Sequence, residues 1–271
     1  MKGLKIEAGA SREVTVLFLA LNVFGYDDEN NSRGMNVMRK RARKELKRSV
    51  FKNTYIYLHR AMRVYSPWTL LHTVISQKRR NSKNSRNFFT EFNRFSQEPV
   101  VRQLSQDVRE IQLASAKILL PLLKQELQNF ISLLGNPPKE VKKIVLIANP
   151  LDAYWRGYQV RENGTVYLVV GPGAKHDNGT LVRHELLHLF ANRIQLPRSF
   201  IVHLSQRLIK QGYGSARVLK EEYIVRALDL FYRSVILKKD ISQMLNREQR
   251  DLPRIREALT LVAQKIEKGR R

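Results

Sequence analysis

The sequence predicts an α+β fold, mostly helical, with a small antiparallel β region between an N-terminal helical region and a C-terminal group of helices. Three observations predict it. Apolar residues recur at three- and four-residue steps through most of 12–134, the period of helices with one buried face. β-branched residues concentrate in "KKIVLIANPL" and in "GYQVRENGTVYLVVGPG", where Asn163-Gly164 is a strong hairpin turn signal. Helical spacing then returns after "GPGAKHDNG" and holds to the C-terminus. The implied organisation is an N-terminal helical region, 1–136, and a core, 137–271, as two domains or one continuous domain, and 271 residues suffice for either.

In chain order, the most apolar N-terminal stretch is "VTVLFLALNVF" (14–24), about half the length of a bilayer-spanning helix. It follows Glu7 and Glu13 and has no small-residue cleavage site, which argues against a signal peptide. A soluble, cytoplasmic chain without a transmembrane segment is expected. In "MNVMRKRARKELKRSVF" the residues Met35, Met38, Ala42, Leu46 and Val50 form an apolar helix face, and most of the remainder is Lys and Arg. "TYIYLHRAMRVYSPWTLLHTVI" reads as helix interrupted at Pro67. "QKRRNSKNSRN" (77–87) carries five basic residues and no acidic or apolar one, and reads as an exposed loop. The segment 100–135 reads as a long amphipathic helix or a pair broken near Pro121, with Gly135 as its cap. Pro137 and Pro138 forbid helix continuation and mark the internal boundary. After the β region, Thr180 caps a helix through "LVRHELLHLFANRI", and further helices are expected at about 199–210, 215–238 and 252–268.

Two composition facts narrow the chemistry. No cysteine is present, so disulfides, thiolate ligation and thiol catalysis are excluded and any metal must be held by His, Asp or Glu. The net charge of +25 makes the surface attractive to polyanions of any kind.

The stretch "TLVRHELLHLF" (180–190) holds His184 and His188 with Glu185 between them. Four residues turn an α-helix by about 400° and advance it roughly 6 Å, so the two imidazoles project from one face and can share a zinc ion. Glu185 lies about 100° round the helix, placed to take a proton from an attacking water rather than to ligate. Satisfied, metal-free histidines on a packed helix are the bland alternative. A third ligand is required. The metzincin pattern would place glycine and histidine where this chain has Ala191 and Ile194, so that class is excluded. The remaining solution is a glutamate on a later helix, and "LKEEYIVRALDLFYRS" offers Glu221 and Glu222. Glu221 shares a face with Val218, Ile224, Val225 and Leu228, while Glu222 shares one with Leu219, Val225, Arg226 and Asp229, and periodicity leaves both open.

His184, Glu185 and His188 followed by "EEYIVRAL" resemble a gluzincin, the zinc metallopeptidase class with two helix histidines and a downstream glutamate. More narrowly, the chain is similar to a poorly characterised bacterial family of predicted zincin-like metallopeptidases. That similarity runs through "EVTVLFLALNVFGYDDEN" (13–30), the β region ending at Gly171, Asn192 after the motif, and the Glu-Tyr-aliphatic-Val-Arg-Ala stretch at 222–227. Only the H-E-x-x-H element is specific by itself. The resemblance implies a zincin-like core, one Zn2+ per chain, a peptide or protein substrate, and Glu222 rather than Glu221 as third ligand. It supplies no reason for the basic segment "RKRARKELKR" (39–48).

On this reading a zinc-activated water attacks the peptide bond with Glu185 as general base and later general acid. The strand 165–170 is a candidate edge to which an extended substrate could add by main-chain hydrogen bonds. Candidates to stabilise the oxyanion or to support the ligands are Tyr213, His203, His176, Arg226 and Asn192. The competing reading is a basic helical module for nucleic acid or another polyanion, with a non-catalytic or vestigial metal site. Its warrant is eight basic residues against one acidic residue at 33–48, extended to a possible contact surface at 33–60 and 78–86. A solvated helix face and an exposed loop explain the same charges without a partner.

Overall fold

The structure, a computed structural model, describes residues 3–26, 34–50, 54–76, 83–176, 179–206, 208 and 214–270. It is mostly helical with one small sheet, and it divides into two compact units. The first comprises 1–124 and 140–182, and the second comprises 125–139 and 183–271.

The first unit is organised around an almost wholly buried helix. Helix α1 (Arg12–Phe24) starts at Ser11, whose hydroxyl accepts from the Val14 amide, and every residue from Val14 to Phe24 is buried. A helix that is apolar all round stabilises a fold only when neighbours enclose it. Helices α2 (Val37–Ser49), α3 (Ile56–Val64), α4 (Pro67–Ser76) and α5 (Lys83–Gln97) all pack against it. The short apolar stretch that could not span a bilayer is therefore the centre of a core. Among the described residues no helix is long and apolar enough to cross a membrane.

Helix α6 (Pro99–Leu134) runs unbroken through Pro121. The expected break is absent. Pro121 lies on an exposed face, so its ring meets solvent, and the loss of one backbone hydrogen bond is small beside the rest of a 36-residue helix.

The sheet has the order β1-β2-β4-β3, with β1 (Lys5–Ala8), β2 (Lys143–Ala148), β3 (Gly157–Glu162) and β4 (Thr165–Val170). Among the described residues only the β3–β4 hairpin is antiparallel, turning through Asn163 at φ 47° and Gly164 at φ 75° as a two-residue turn demands. The pairings β1–β2 and β2–β4 are parallel, so the sheet is mixed and not the antiparallel region expected. Parallel pairs need long crossovers that leave no local turn signal. Strand β1 is four partly exposed residues whose partner lies beyond all of α1–α6. It joins to β2 the two segments that the double proline separates in sequence.

Strand β4 is not an edge strand. It is hydrogen-bonded to β2 on one side and to β3 on the other along its whole length. An interior strand has no free main-chain edge, so it cannot receive an extended substrate as the sequence reading allowed. Gly171 ends the strand where a Cβ would stand 2.7 Å from the Ala153 carbonyl oxygen, which accounts for the glycine.

Part of the basic run belongs to the fold. Arg39 is fully buried, donates to Asn22 Oδ1 at 2.7 Å and to the Tyr26 carbonyl at 3.0 Å, and lies over the Tyr26 ring. Arg43 donates to the same two acceptors, and Arg41 pairs with Glu45 and Asp107. Arg41 is exposed as well, and Lys40, Lys44, Lys47 and Arg48 are further exposed charges of α2. Residues 33, 51–53 and 78–82 of the expected polyanion surface lie outside the described residues.

The second unit takes the last turns of α6, helix α7 (Thr180–Ala191) from Arg183 onward, α8 (Ala216–Val235), α9 (Ser242–Asp251) and α10 (Ile255–Arg270). The helix expected at 199–210 does not form over 199–205, which lack regular structure, while α9 was not anticipated. Phe130 meets Phe190 and Tyr232 edge-on, with ring centroids 5.8 and 4.9 Å away, and this joins α6, α7 and α8.

Candidate metal centre

Helix α7 presents two opposed characters. Leu186, Leu187, Leu189 and Phe190 are fully buried, so packing sets the rotation of the helix about its axis. That rotation leaves His184 and His188 on the partly open face, with their rings 5.4 Å apart and nearly perpendicular. A buried ion network next to them locks the same position. Arg183 donates to Glu126 at 2.7 Å and to Asp229 at 2.9 Å, and Asp229 also accepts from Arg233 at 2.7 Å. The Arg183 guanidinium lies over the Tyr232 ring. Charges this deeply enclosed hold only when mutually paired, so the network ties α7, α8 and the end of α6 in one register.

Helix α8 answers from across the site. Ser215 caps it through its hydroxyl, and its inner face carries Glu222, Arg226, Asp229 and Arg233 at helical spacing. The Glu222 side chain is 9% exposed and sets Oε2 3.8 Å from His184 Nε2. The ligand atoms of His184, His188 and Glu222 all lie within 4.8 Å of one another. A tetrahedral ion with bonds near 2.0–2.1 Å places its ligand atoms roughly 3.4 Å apart, so small side-chain rotations close this set around zinc. Two imidazoles and one carboxylate are also the donor types of a catalytic zinc site with an open position. On both grounds the residues fit the ion.

Glu221 takes a different place from Glu222. Its side chain is 47% exposed and its Oε1 lies 2.8 Å from His188 Nδ1. With Nδ1 engaged by a carboxylate, Nε2 is the ring nitrogen that a metal would take. Two adjacent glutamates that periodicity could not separate thus point one inward and one to the back of a histidine. Arg226 donates to Glu222, four residues back, and to Glu248 of α9.

Electrostatics follow from this packing. Burial pushes the His184 imidazole down to about 4, against the pull of Glu222. Burial opposes the charged form of His188 too, but the bond to Glu221 and the nearby charges of Glu185 and Glu222 outweigh it and raise the ring above its ordinary value. Glu222 is held down to about 2, because Arg226 and the two histidines more than offset its burial. Glu185 is buried and makes no hydrogen bond among the described residues, and desolvation pushes it up to about 7. A carboxyl in that range can both take and return a proton at neutral pH.

The other expected residues separate. Tyr213 lies outside the described residues. His203 and His176 are exposed, Asn192 is exposed just past the end of α7, and none of the three has a hydrogen bond or ion pair to the histidine–glutamate cluster among the described residues. Arg226 is committed to two carboxylates. Sequence reasoning did not find Glu248 or the Arg183 network. The i,i+4 pair Asp229–Arg233 was a signal for the latter, whereas Glu248 sits on a helix too polar to be noticed. The chain matches no family model, and no similar curated protein or solved structure is found.

Proposed function

We propose that this chain is a zinc-dependent metallopeptidase whose metal is held by His184, His188 and Glu222. The observation that carries the reading is the convergence of those three ligand groups, with Glu185 buried beside them, from two helices far apart in sequence. Zinc in such a site acts as a Lewis acid toward a carbonyl and brings the pKa of water toward neutrality.

The protein's own residues then have separable tasks. Glu185 accepts the proton released as water attacks the scissile carbonyl, and delivers it to the amine as the peptide bond breaks. Arg226 keeps Glu222 ionised and oriented. Glu221 fixes the tautomer and ring plane of His188. Leu186, Leu187 and Phe190 hold the helix so that these groups do not turn away from one another.

The test is metal content and peptide cleavage on purified protein. Stoichiometric zinc is expected. Glu185→Gln keeps the zinc and loses turnover, and His188→Ala loses both. Protein that neither carries nor takes up zinc overturns the reading.

The polyanion reading draws on the exposed Lys40, Lys44, Lys47 and Arg48. Retention on nucleic acid that falls steeply with salt, without zinc or cleavage, would favour it.

A further inference from the structure

The outward side of α3 is not the polar face that a surface helix ordinarily presents. Leu58, Ala61 and Met62 are buried where α3 packs against α1 and α5. Ile56, Tyr57, Arg60, Arg63 and Val64 are exposed and share an arc of about 120° on the other side. Ile56 is 66% exposed and Val64 65%. Tyr65, which ends α3, and Trp68, in the first turn of α4, extend this apolar surface past the helix end. Among the described residues, five of the twelve exposed large apolar side chains fall within 56–68, so they form a cluster and not the scatter of an ordinary surface. The indole is also held in place: Trp68 Nε1 donates to the Gln159 carbonyl of β3 at 3.3 Å, and its ring lies against His72.

Charge identifies the partner. Between Glu45 and Glu91 the sequence carries ten Lys and Arg and no acidic residue. Arg60 and Arg63 stand on the same arc as the apolar side chains, and neither has an ion pair among the described residues. A partner that fits this face must be anionic and apolar at once. An anionic phospholipid surface is both, since its phosphates meet guanidinium groups, its acyl boundary takes up aliphatic side chains, and Tyr and Trp settle at headgroup level. Nucleic acid would engage the rings and the arginines but offers Ile56 and Val64 no apolar medium.

We infer that α3 and the α3–α4 corner form a peripheral docking surface for anionic phospholipid bilayers, with Val64, Tyr65 and Trp68 at the acyl boundary and Arg60 and Arg63 on headgroup phosphates. The contact is interfacial, not spanning, and independent of zinc.

Flotation of the full chain with vesicles of phosphatidylglycerol and phosphatidylcholine, and with vesicles of phosphatidylcholine alone, tests it. The anionic vesicles should hold the chain about tenfold or more tightly. Val64→Ser combined with Tyr65→Ser, two exposed changes that keep the net charge at +25, should weaken that binding about tenfold. In the otherwise unaltered chain, brominated acyl chains should quench tryptophan emission, and Trp68→Phe should remove most of that quenching. No binding to anionic vesicles overturns the inference. So does binding that the double substitution leaves unchanged, the mark of general attraction between a basic chain and any polyanion. Quenching that survives Trp68→Phe overturns it too, because Trp155 and another face would then meet the bilayer. If the double substitution weakens binding of a single-stranded oligonucleotide but not of vesicles, the face stacks bases and the inference falls.

Discussion

Glu221 and Glu222 are neighbours of identical chemistry, and under the proposed function their substitution separates a metal ligand from the residue that orients one. Glu222 is nearly enclosed, faces His184 and belongs to the converging set, so Glu222→Gln removes one of three protein ligands and should cost zinc affinity by well over a hundredfold. Glu221 reaches the far nitrogen of His188, at 2.8 Å, from a side chain 47% exposed. Outer carboxylates of this kind contribute about 10–100-fold in affinity, and solvent competing at an exposed position sets the lower end, about tenfold or about 1.4 kcal/mol, for Glu221→Ala. Glu221→Gln should fall between wild type and Glu221→Ala, because its amide oxygen still accepts from Nδ1 but carries no charge. Competition against a fluorescent zinc chelator at fixed pH measures all three. If Glu221→Ala strips the metal while Glu222→Gln retains it, the assignment of the two carboxylates is reversed and the reasoning from their burial is wrong.

Other expectations follow from the same packing. Asp152 is fully buried, accepts from Tyr26 at 2.6 Å with Tyr158 and Arg156 close by, and desolvation raises it from 3.8 to about 6. A carboxyl raised in the folded state costs nothing below its unfolded pKa, and its penalty grows as pH rises from about 4 to about 6, reaching about 3 kcal/mol. Stability of the wild type relative to Asp152→Asn should therefore fall across that window in urea denaturation at stepped pH, and a difference that stays flat refutes it. Arg39→Ala should destabilise by about 2–3 kcal/mol, because a buried side chain and two of its hydrogen bonds are lost. Lys44→Ala, on the exposed face of the same helix, should stay within about 0.5 kcal/mol, and equal losses would contradict the division of that basic run. Asp229→Asn should cost about 3–5 kcal/mol, since the buried Arg183 and Arg233 lose the carboxylate they share, while Arg183 keeps Glu126. Thermal unfolding that leaves Tm unchanged would show the network to be slack.

Much of the site was legible because its first half is local. His184, Glu185 and His188 are fixed relative to one another by helix geometry alone, and the four apolar residues among and after them determine which way that helix faces. Which glutamate completes the cluster with the two histidines was legible only to within two residues. Glu221 and Glu222 differ by about 100° around α8, and both positions border apolar neighbours, so the rotation of α8 against α7 had to be known. Arg39 shows the same limit in the core. In sequence it is one cation in a basic run, and it becomes structural only because Asn22 and Tyr26 stand where its guanidinium ends.

The sequence by itself determined the local elements: the helical, apolar character of the N-terminal stretch, the Asn163-Gly164 hairpin, the H-E-x-x-H helix, and the exclusion of every cysteine-based chemistry. Each rests on periods, caps and turns that act over a few residues. Tertiary structure alone decided the parallel pairing of β1 with β2, the interior place of β4, the continuity of α6 through Pro121, and the inward turn of Glu222. These depend on contacts between segments far apart in the chain, and their free energy comes from burying surfaces together, which no local spacing records.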